Sequence, residues 1–316
     1  MVDILAAPFD GGGARRGSRL GPSALELAGL REALVERGLG VSSWRKLPNP
    51  EPIPVRDGLR SFDACLSAVT ELRAAVATSL ADGRMPLVVG GEHSISMGGI
   101  SAALNHTSGN LAVLWIDAHA DANVPGGSPS GSLHGMPLGA LLGLPSGSGG
   151  EVDRQWSRLV EAVAGSKPLE PSRLGWIGLR DVDPGERELI QTHPEMLAVS
   201  MHEIDRWGLV AAIDRFDAWM RASGAKHLWI SFDVDVLDPI LAPGTGTAVR
   251  GGLSYREGHL IAELLREKLD GGPYRLLGLD VVEVNPLEDV ANSTAKIVVE
   301  WIASLFGKTI LGSSVK

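Results

Sequence analysis

Asp117, His119 and Asp121 stand at alternate positions directly after an apolar run, Leu111–Ile116. An extended backbone sends alternate side chains to the same side, so these three metal-ligand side chains point together. Asp233 and Asp235 repeat the pattern after His227–Phe232, ahead of the turn signal Asp238-Pro239. A third apolar run, Pro86–Gly90, leads through Gly91 and Glu92 to His93. Taken singly, each motif has an ordinary explanation. Paired acids suit a solvated turn, and a histidine after two glycines suits a cap or a packed side chain. Together, four Asp and two His at three strand ends repel one another strongly unless cations hold them. The set is rich in oxygen and free of thiolate, which favours Mn²⁺ over structural Zn²⁺. Six side chains are few for two ions, so at least one carboxylate must bridge and water must complete the shells. Water held between two divalent ions loses a proton near neutral pH and becomes a hydroxide nucleophile.

Such residues act together only if strands deliver them to one edge. Short apolar runs at Ile4–Phe9, Pro86–Gly90, Leu111–Ile116, Leu174–Leu179, His227–Phe232 and Arg275–Val282 read as buried strands. Helix-compatible segments lie between them: Pro22–Arg37, Phe62–Ala81, Glu151–Ala164, Leu209–Ser223, Tyr255–Leu269 and Ser293–Phe306. This alternation predicts an α/β fold, a mainly parallel sheet with helices on both faces. The candidate residues come from nearly every strand and no linker or repeat interrupts them, so one domain over 1–316 is expected. The Gly/Ser-rich stretch Pro145–Gly150 reads as a surface loop.

With 44% hydrophobic and 21% charged residues the chain has the composition of an ordinary soluble globular protein. Its net charge of -9 argues against a phosphate-backbone partner, so nucleic acid is not expected; a small cationic substrate fits better. The single cysteine, Cys65, forms no internal disulfide and reads as a packed helix residue. No run of about 18 uncharged apolar residues occurs and the N-terminus lacks a basic leader, so no membrane partner and a cytoplasmic location are expected.

Three segments resemble the signatures of the ureohydrolase family, and of arginases most closely, in their order along the chain: Gly90-Gly91-Glu92-His93-Ser94, Asp117-Ala118-His119-Ala120-Asp121-Ala122-Asn123, and Ser231-Phe232-Asp233-Val234-Asp235-Val236-Leu237-Asp238-Pro239. The likeness extends to Gly21-Pro22, Ser130–Gly135, Gly178–Glu186, Gly251–Gly258 and Glu283–Pro286. It implies a three-layer α/β/α fold binding two Mn²⁺ ions. One ion would take His93, Asp117, Asp121 and Asp233, the other Asp117, His119, Asp233 and Asp235. Asp121, His134 and Glu283 are the implied catalytic residues, Glu283 holding a guanidinium by a charge-assisted pair and His134 shuttling protons. Thr247 is similar to a hydroxyl lining the guanidinium pocket. Asn123, Ser128, Ser130 and Asp183 match positions that bind the α-carboxylate and α-amino groups of arginine. Ser132 replaces an Asn that serves the same end, and Glu92 stands where many arginases have Asp.

The implied reaction is hydrolysis of arginine to ornithine and urea. Hydrolysis of agmatine, guanidinobutyrate or hydroxyarginine is the alternative within the family. A single-metal zinc deacetylase of related fold is disfavoured because His93 and Asp121 keep the second ligand set intact. A homo-oligomer, trimer or hexamer, is also implied, Arg256-Glu257 resembling a segment near the subunit contacts of trimeric arginases.

Overall fold

The computed structural model describes residues 1–13, 15–51, 58–128, 130–165 and 167–311. Its strands are β1 (Val2–Ala7), β2 (Val41–Lys46), β3 (Met85–Gly90), β4 (Leu111–Ile116), β5 (Leu174–Leu179), β6 (Leu197–Ser200), β7 (His227–Asp233) and β8 (Arg275–Val282). Its α-helices are α1 (Gly21–Leu27), α2 (Leu30–Glu36), α3 (Phe62–Ala81), α4 (Ser96–His106), α5 (Pro137–Leu141), α6 (Gly150–Val163), α7 (Pro184–Thr192), α8 (Met201–Trp207), α9 (Leu209–Ala222), α10 (Tyr255–Gly271) and α11 (Ser293–Leu305).

The strands form one sheet in the order β2-β1-β3-β8-β7-β4-β5-β6, with every adjacent pair parallel. A parallel sheet covered on both faces is apolar at every position, and β4 shows it. Leu111, Val113 and Trp115 enter one core with α3, α4, α5 and α6. Ala112, Leu114 and Ile116 enter the other with α1, α2, α9, α10 and α11. The result is the three-layer α/β/α architecture expected.

The chain winds outward from β1 to β2, returns to β3, then skips the places of β8 and β7 before laying down β4. The later strands β7 and β8 fill that gap. Thus β3, β8, β7 and β4 are neighbours at the middle of the sheet, and their carboxyl ends open on one crevice. Ligands of open α/β sheets bind at such a reversal of strand order.

Several elements differ from expectation. The single helix expected over Pro22–Arg37 is two helices, broken where Gly29 takes φ 87°. The edge strands β2 and β6 and the helices α4, α5, α7 and α8 were absent from the sequence pattern. Helix α3 is the one described helix long and apolar enough to cross a membrane, and half of its apolar window is buried inside the fold, as in a core helix.

Candidate active site

Each strand end presents its residues through a specific local device. At the end of β3, a Cβ on Gly91 would lie 1.8 Å from the carbonyl oxygen of Phe9, so only glycine lets the β1 and β3 ends meet there. The chain then turns Glu92 and His93 inward, both of them buried. At the end of β7, the Asp233 carboxylate accepts from the amide of Asp235 at 2.8 Å, which curls the chain into a short 3₁₀ turn and brings both acids to the same side. After β4, Asp117 accepts from the amide of His119 at 2.7 Å and from the Trp115 indole at 2.9 Å. The indole also stacks on His93, ring centroids 3.9 Å apart. Asp121 and Glu283 occupy the left-handed region, with φ 49° and 63°. For residues with a Cβ that conformation costs about 1 kcal/mol or more, and it is held here by the surrounding turns.

The six candidate ligands converge. His93 Nδ1 lies 3.1 Å from Asp117, 3.0 Å from Asp121 and 3.0 Å from Asp233, yet it hydrogen-bonds to none of them. One ring nitrogen cannot serve three carboxylates, but an ion at their centre can. Ligands about 2.1 Å from an octahedrally coordinated ion sit about 3.0 Å from their neighbours, which is the spacing observed. His119 Nδ1 forms a second group with Asp117 at 3.4 Å and Asp235 at 3.1 Å. Asp117 belongs to both groups. The residues present therefore fit a pair of divalent ions.

The electrostatics agree. Burial, then the Asp117 charge, raise the carboxyl groups of Asp121 and Asp235, the latter to about 6; burial and Asp235 raise Asp233. Both imidazoles resist the opposing effect of burial and are raised by the carboxylates around them. So dense a negative cluster calls for positive charge, which protonated imidazoles supply without metal and divalent ions supply with it.

Beside this cluster His134 Nδ1 lies 3.2 Å from Glu283 Oε1, and the same oxygen accepts from the amide of His93 at 3.0 Å. Glu92 closes a third group with them. Burial and then the Glu283 charge push the Glu92 carboxyl up to about 7, against the pull of His134. Burial would lower His134, but Glu283, Glu92 and Asp121 push it up to about 9. A cavity opens over the cluster, lined by His119, Asp121, His134, Asp233, Thr247 and Glu283. Asn123, Ser128, Ser130, Asp181, Asp183 and Glu186 line it as well.

The chain matches the Arginase family model over residues 1–307. It is 38% identical over 315 residues to the arginase of Staphylococcus aureus (strain COL), covering 98% of each chain. The chain belongs to the arginase family. It superposes on the native Bacillus caldovelox arginase with a TM-score of 0.87 at 35% identity, covering 98% of this chain and 99% of that one. The Entamoeba histolytica arginase in complex with L-ornithine aligns with a TM-score of 0.82 at 26% identity, covering 97% and 98%. The protein is thus an arginase-type amidinohydrolase, a hydrolase acting on a guanidino group.

Within this arginase fold most of the residues singled out in the sequence meet at the cavity. Ser132 is fully buried, its hydroxyl has no hydrogen-bond partner among the described residues, and it is not among the cavity-lining side chains. Its amide donates to Ser130 Oγ at 3.2 Å. Thr247 lines the cavity but donates its hydroxyl proton to Asp235 at 2.8 Å. Asn123 donates to Asp183 at 2.8 Å. Sequence reasoning missed Glu186, which accepts from the amides of Ala122 at 2.9 Å and Asp183 at 2.9 Å and so fixes both walls. The signal was available: Asp183-Pro184-Gly185-Glu186 has capping-box spacing, with proline at the first helical position of α7. Ser231, 2.8 Å from His93 Nε2, left no comparable signal.

Proposed function

We propose that this enzyme hydrolyses L-arginine to L-ornithine and urea at a pair of Mn²⁺ ions. The observation that carries the reading is the double cluster of His93, Asp117, Asp121, Asp233 and of Asp117, His119, Asp235, with 3.0–3.1 Å between His93 Nδ1 and three carboxylates, opening directly on a cavity with Glu283. Octahedral spacing and an oxygen-rich donor set favour Mn²⁺ over tetrahedral Zn²⁺. The ions would supply a water acidic enough to act as nucleophile at neutral pH.

The protein's own residues do the rest. Glu283 Oε1 lies where a guanidinium can replace His134 as its partner, forming a charge-assisted pair that orients the guanidinium carbon. The water oxygen adds to that carbon, the bond to the ornithine side-chain nitrogen breaks, and the oxygen leaves in urea. His134, freed from Glu283 by the guanidinium, donates a proton to the departing amine and regains one from the proton that the attacking water gives up. Ser128, Ser130 and Asn123 supply donors for a carboxylate, while Asp183, Asp181 and Glu186 supply acceptors for an ammonium. An amino acid presents both groups, agmatine only a cation, and that pairing of donors with acids supports arginine. The L-ornithine in the Entamoeba histolytica complex is consistent with this reading.

The test is urea release from arginine, agmatine, guanidinobutyrate and hydroxyarginine by Mn²⁺-loaded protein. Preference for arginine is expected; preference for agmatine or guanidinobutyrate would leave only the amidinohydrolase assignment. The same reading treats 1–316 as one catalytic domain, supported by the single sheet that carries every candidate ligand. It places the enzyme in the cytoplasm, with neither nucleic acid nor membrane as a partner. A homo-oligomer, trimer or hexamer, rests on family resemblance, and sedimentation of the purified enzyme measures it.

A further inference from the structure

Arg180 is a half-buried cation whose side-chain partners among the described residues are backbone carbonyls, not carboxylates. Nη2 reaches the carbonyl of Asp235 at 2.5 Å and that of Val249 at 2.8 Å, Nη1 reaches Val236 at 3.1 Å, and Nε adds a second contact to Val249 at 3.3 Å. Its own amide donates to the carbonyl of Ala118 at 2.9 Å, between Asp117 and His119. One residue therefore ties together the β4 end, the 3₁₀ turn that carries Asp235, and the loop that carries Thr247.

The neighbourhood is built for this contact. Gly178 takes φ 107°, and a Cβ there would lie 2.5 Å from Val236 and 2.9 Å from the Asp117 carbonyl. The β5 end is thus pressed against both neighbouring loops, and the guanidinium enters between them. Residues 238–252 form an excursion closed by the Leu237–Leu253 bridge, with Asp238 accepting from the amides of Gly251 and Gly252. Inside that excursion Thr247 donates to Asp235. A planar fork of five N–H donors suits carbonyls converging from separate loops, and a lysine ammonium has no such fork. The other half of the centre is held differently, His93 being bound by Ser231 and stacked on Trp115.

We propose that Arg180 is the positioning residue for one half of the metal centre: it holds Asp235 and the Thr247 loop in register with Asp117 and His119. The ion bound by His119 and Asp235 then depends on Arg180, and the ion bound by His93 and Asp121 does not. This rests on the two-ion reading above.

The test is titration of metal-free wild-type, Arg180→Lys and Arg180→Met proteins with Mn²⁺, followed by calorimetry and by electron paramagnetic resonance. Wild type is expected to take up two ions and give the spectrum of a coupled pair. Arg180→Met is expected to keep its first ion within about threefold of wild-type affinity and to bind the second at least ~10-fold more weakly, the effect typical of groups that orient metal ligands. Its spectrum at one equivalent above the first should be that of an isolated ion. Arg180→Lys should fall between, and should regain its kcat at saturating Mn²⁺. Equal weakening of both ions, or two unchanged affinities, overturns the proposal; if Arg180→Met does not fold, the same comparison on Arg180→Lys decides. A wild-type protein that binds a single ion defeats the two-metal reading, and the Arg180 proposal with it.

Discussion

Glu283 serves several partners with one carboxylate: it accepts from the His93 amide, meets His134 and faces the cavity. Replacing it by Gln keeps the shape and removes the charge, so a bound guanidinium would face a neutral partner in a water-poor site. Turnover in Glu283→Gln should fall about 10²–10³-fold, the cost of losing one aimed charge-stabilising group. His134→Ala should fall about 10²-fold or less, the size of one acid–base contribution. A urea assay that reverses this ranking would count against the roles given to both. The Glu283 backbone carries a separate cost. At φ 63° a side chain is strained and glycine is not, so Glu283→Gly should melt above Glu283→Ala, by about 1 kcal/mol of stability, although both are inactive. Equal melting temperatures would mean that the turn holds no strain.

The strand β1 is anchored at its start by Asp3, a buried carboxylate that accepts from Ser43 of β2 at 3.0 Å, Ser79 of α3 at 2.8 Å and Arg84 at 2.7 Å, with Ser42 as a fourth donor. Burial would raise this carboxyl group, but the hydrogen bonds of Ser42, Ser79, Arg84 and Ser43 outweigh it and hold it below its ordinary value. A depressed folded-state pKa stabilises the protein above the unfolded pKa of about 4, and that contribution is lost as pH falls through the folded value. Asp3→Asn should therefore be less stable than wild type at pH 7 by about 1–3 kcal/mol, and the gap should narrow as pH drops below about 4. Urea denaturation across that range measures it; a gap independent of pH would remove Asp3 charge from the account. In the loop before α5, Ser132 tests which side chains reach the substrate. Since its hydroxyl is buried away from the cavity, Ser132→Ala should leave the arginine KM unchanged, and a several-fold rise would return that hydroxyl to the substrate.

The two cores and the metal cluster are separable. The cores are built from apolar side chains on either face of the sheet, while the acids stand beyond the strand ends. Removing metal should therefore preserve secondary structure yet lower the melting temperature, since the carboxylates lose their cations. An ion present at about 100 times its Kd stabilises the folded state by about 2.7 kcal/mol. Adding Mn²⁺ back to chelator-treated protein should raise the melting temperature in proportion, with the far-ultraviolet dichroism unchanged. A melting temperature indifferent to metal would contradict a centre built on these residues.

What was legible in the amino-acid order is what neighbouring residues decide between themselves. The apolar runs of β3, β4, β5, β7 and β8 announce strands because both of their faces must be buried. Asp117, Asp233 and Asp235 are legible at strand ends because they directly end or follow apolar runs, but they converge through bends and a 3₁₀ turn rather than through the extended alternation expected. The edge strand β2 escaped notice because Val-Ser-Ser-Trp-Arg-Lys is half exposed, and β6 because four residues make no pattern. Helix α4, with its serines and glycines, is a poor helix by propensity and is stabilised by packing against α3. A loop's spacing does not say which way the Ser132 hydroxyl turns. Nor could any local pattern reveal that β7 and β8 enter between β3 and β4, that Arg180 spans three loops, or that Asp121 and Glu283 adopt left-handed backbone. Each of these is set by contacts between residues tens to hundreds of positions apart, and such contacts exist only once helices cover both faces of the sheet and force its strands into a single order.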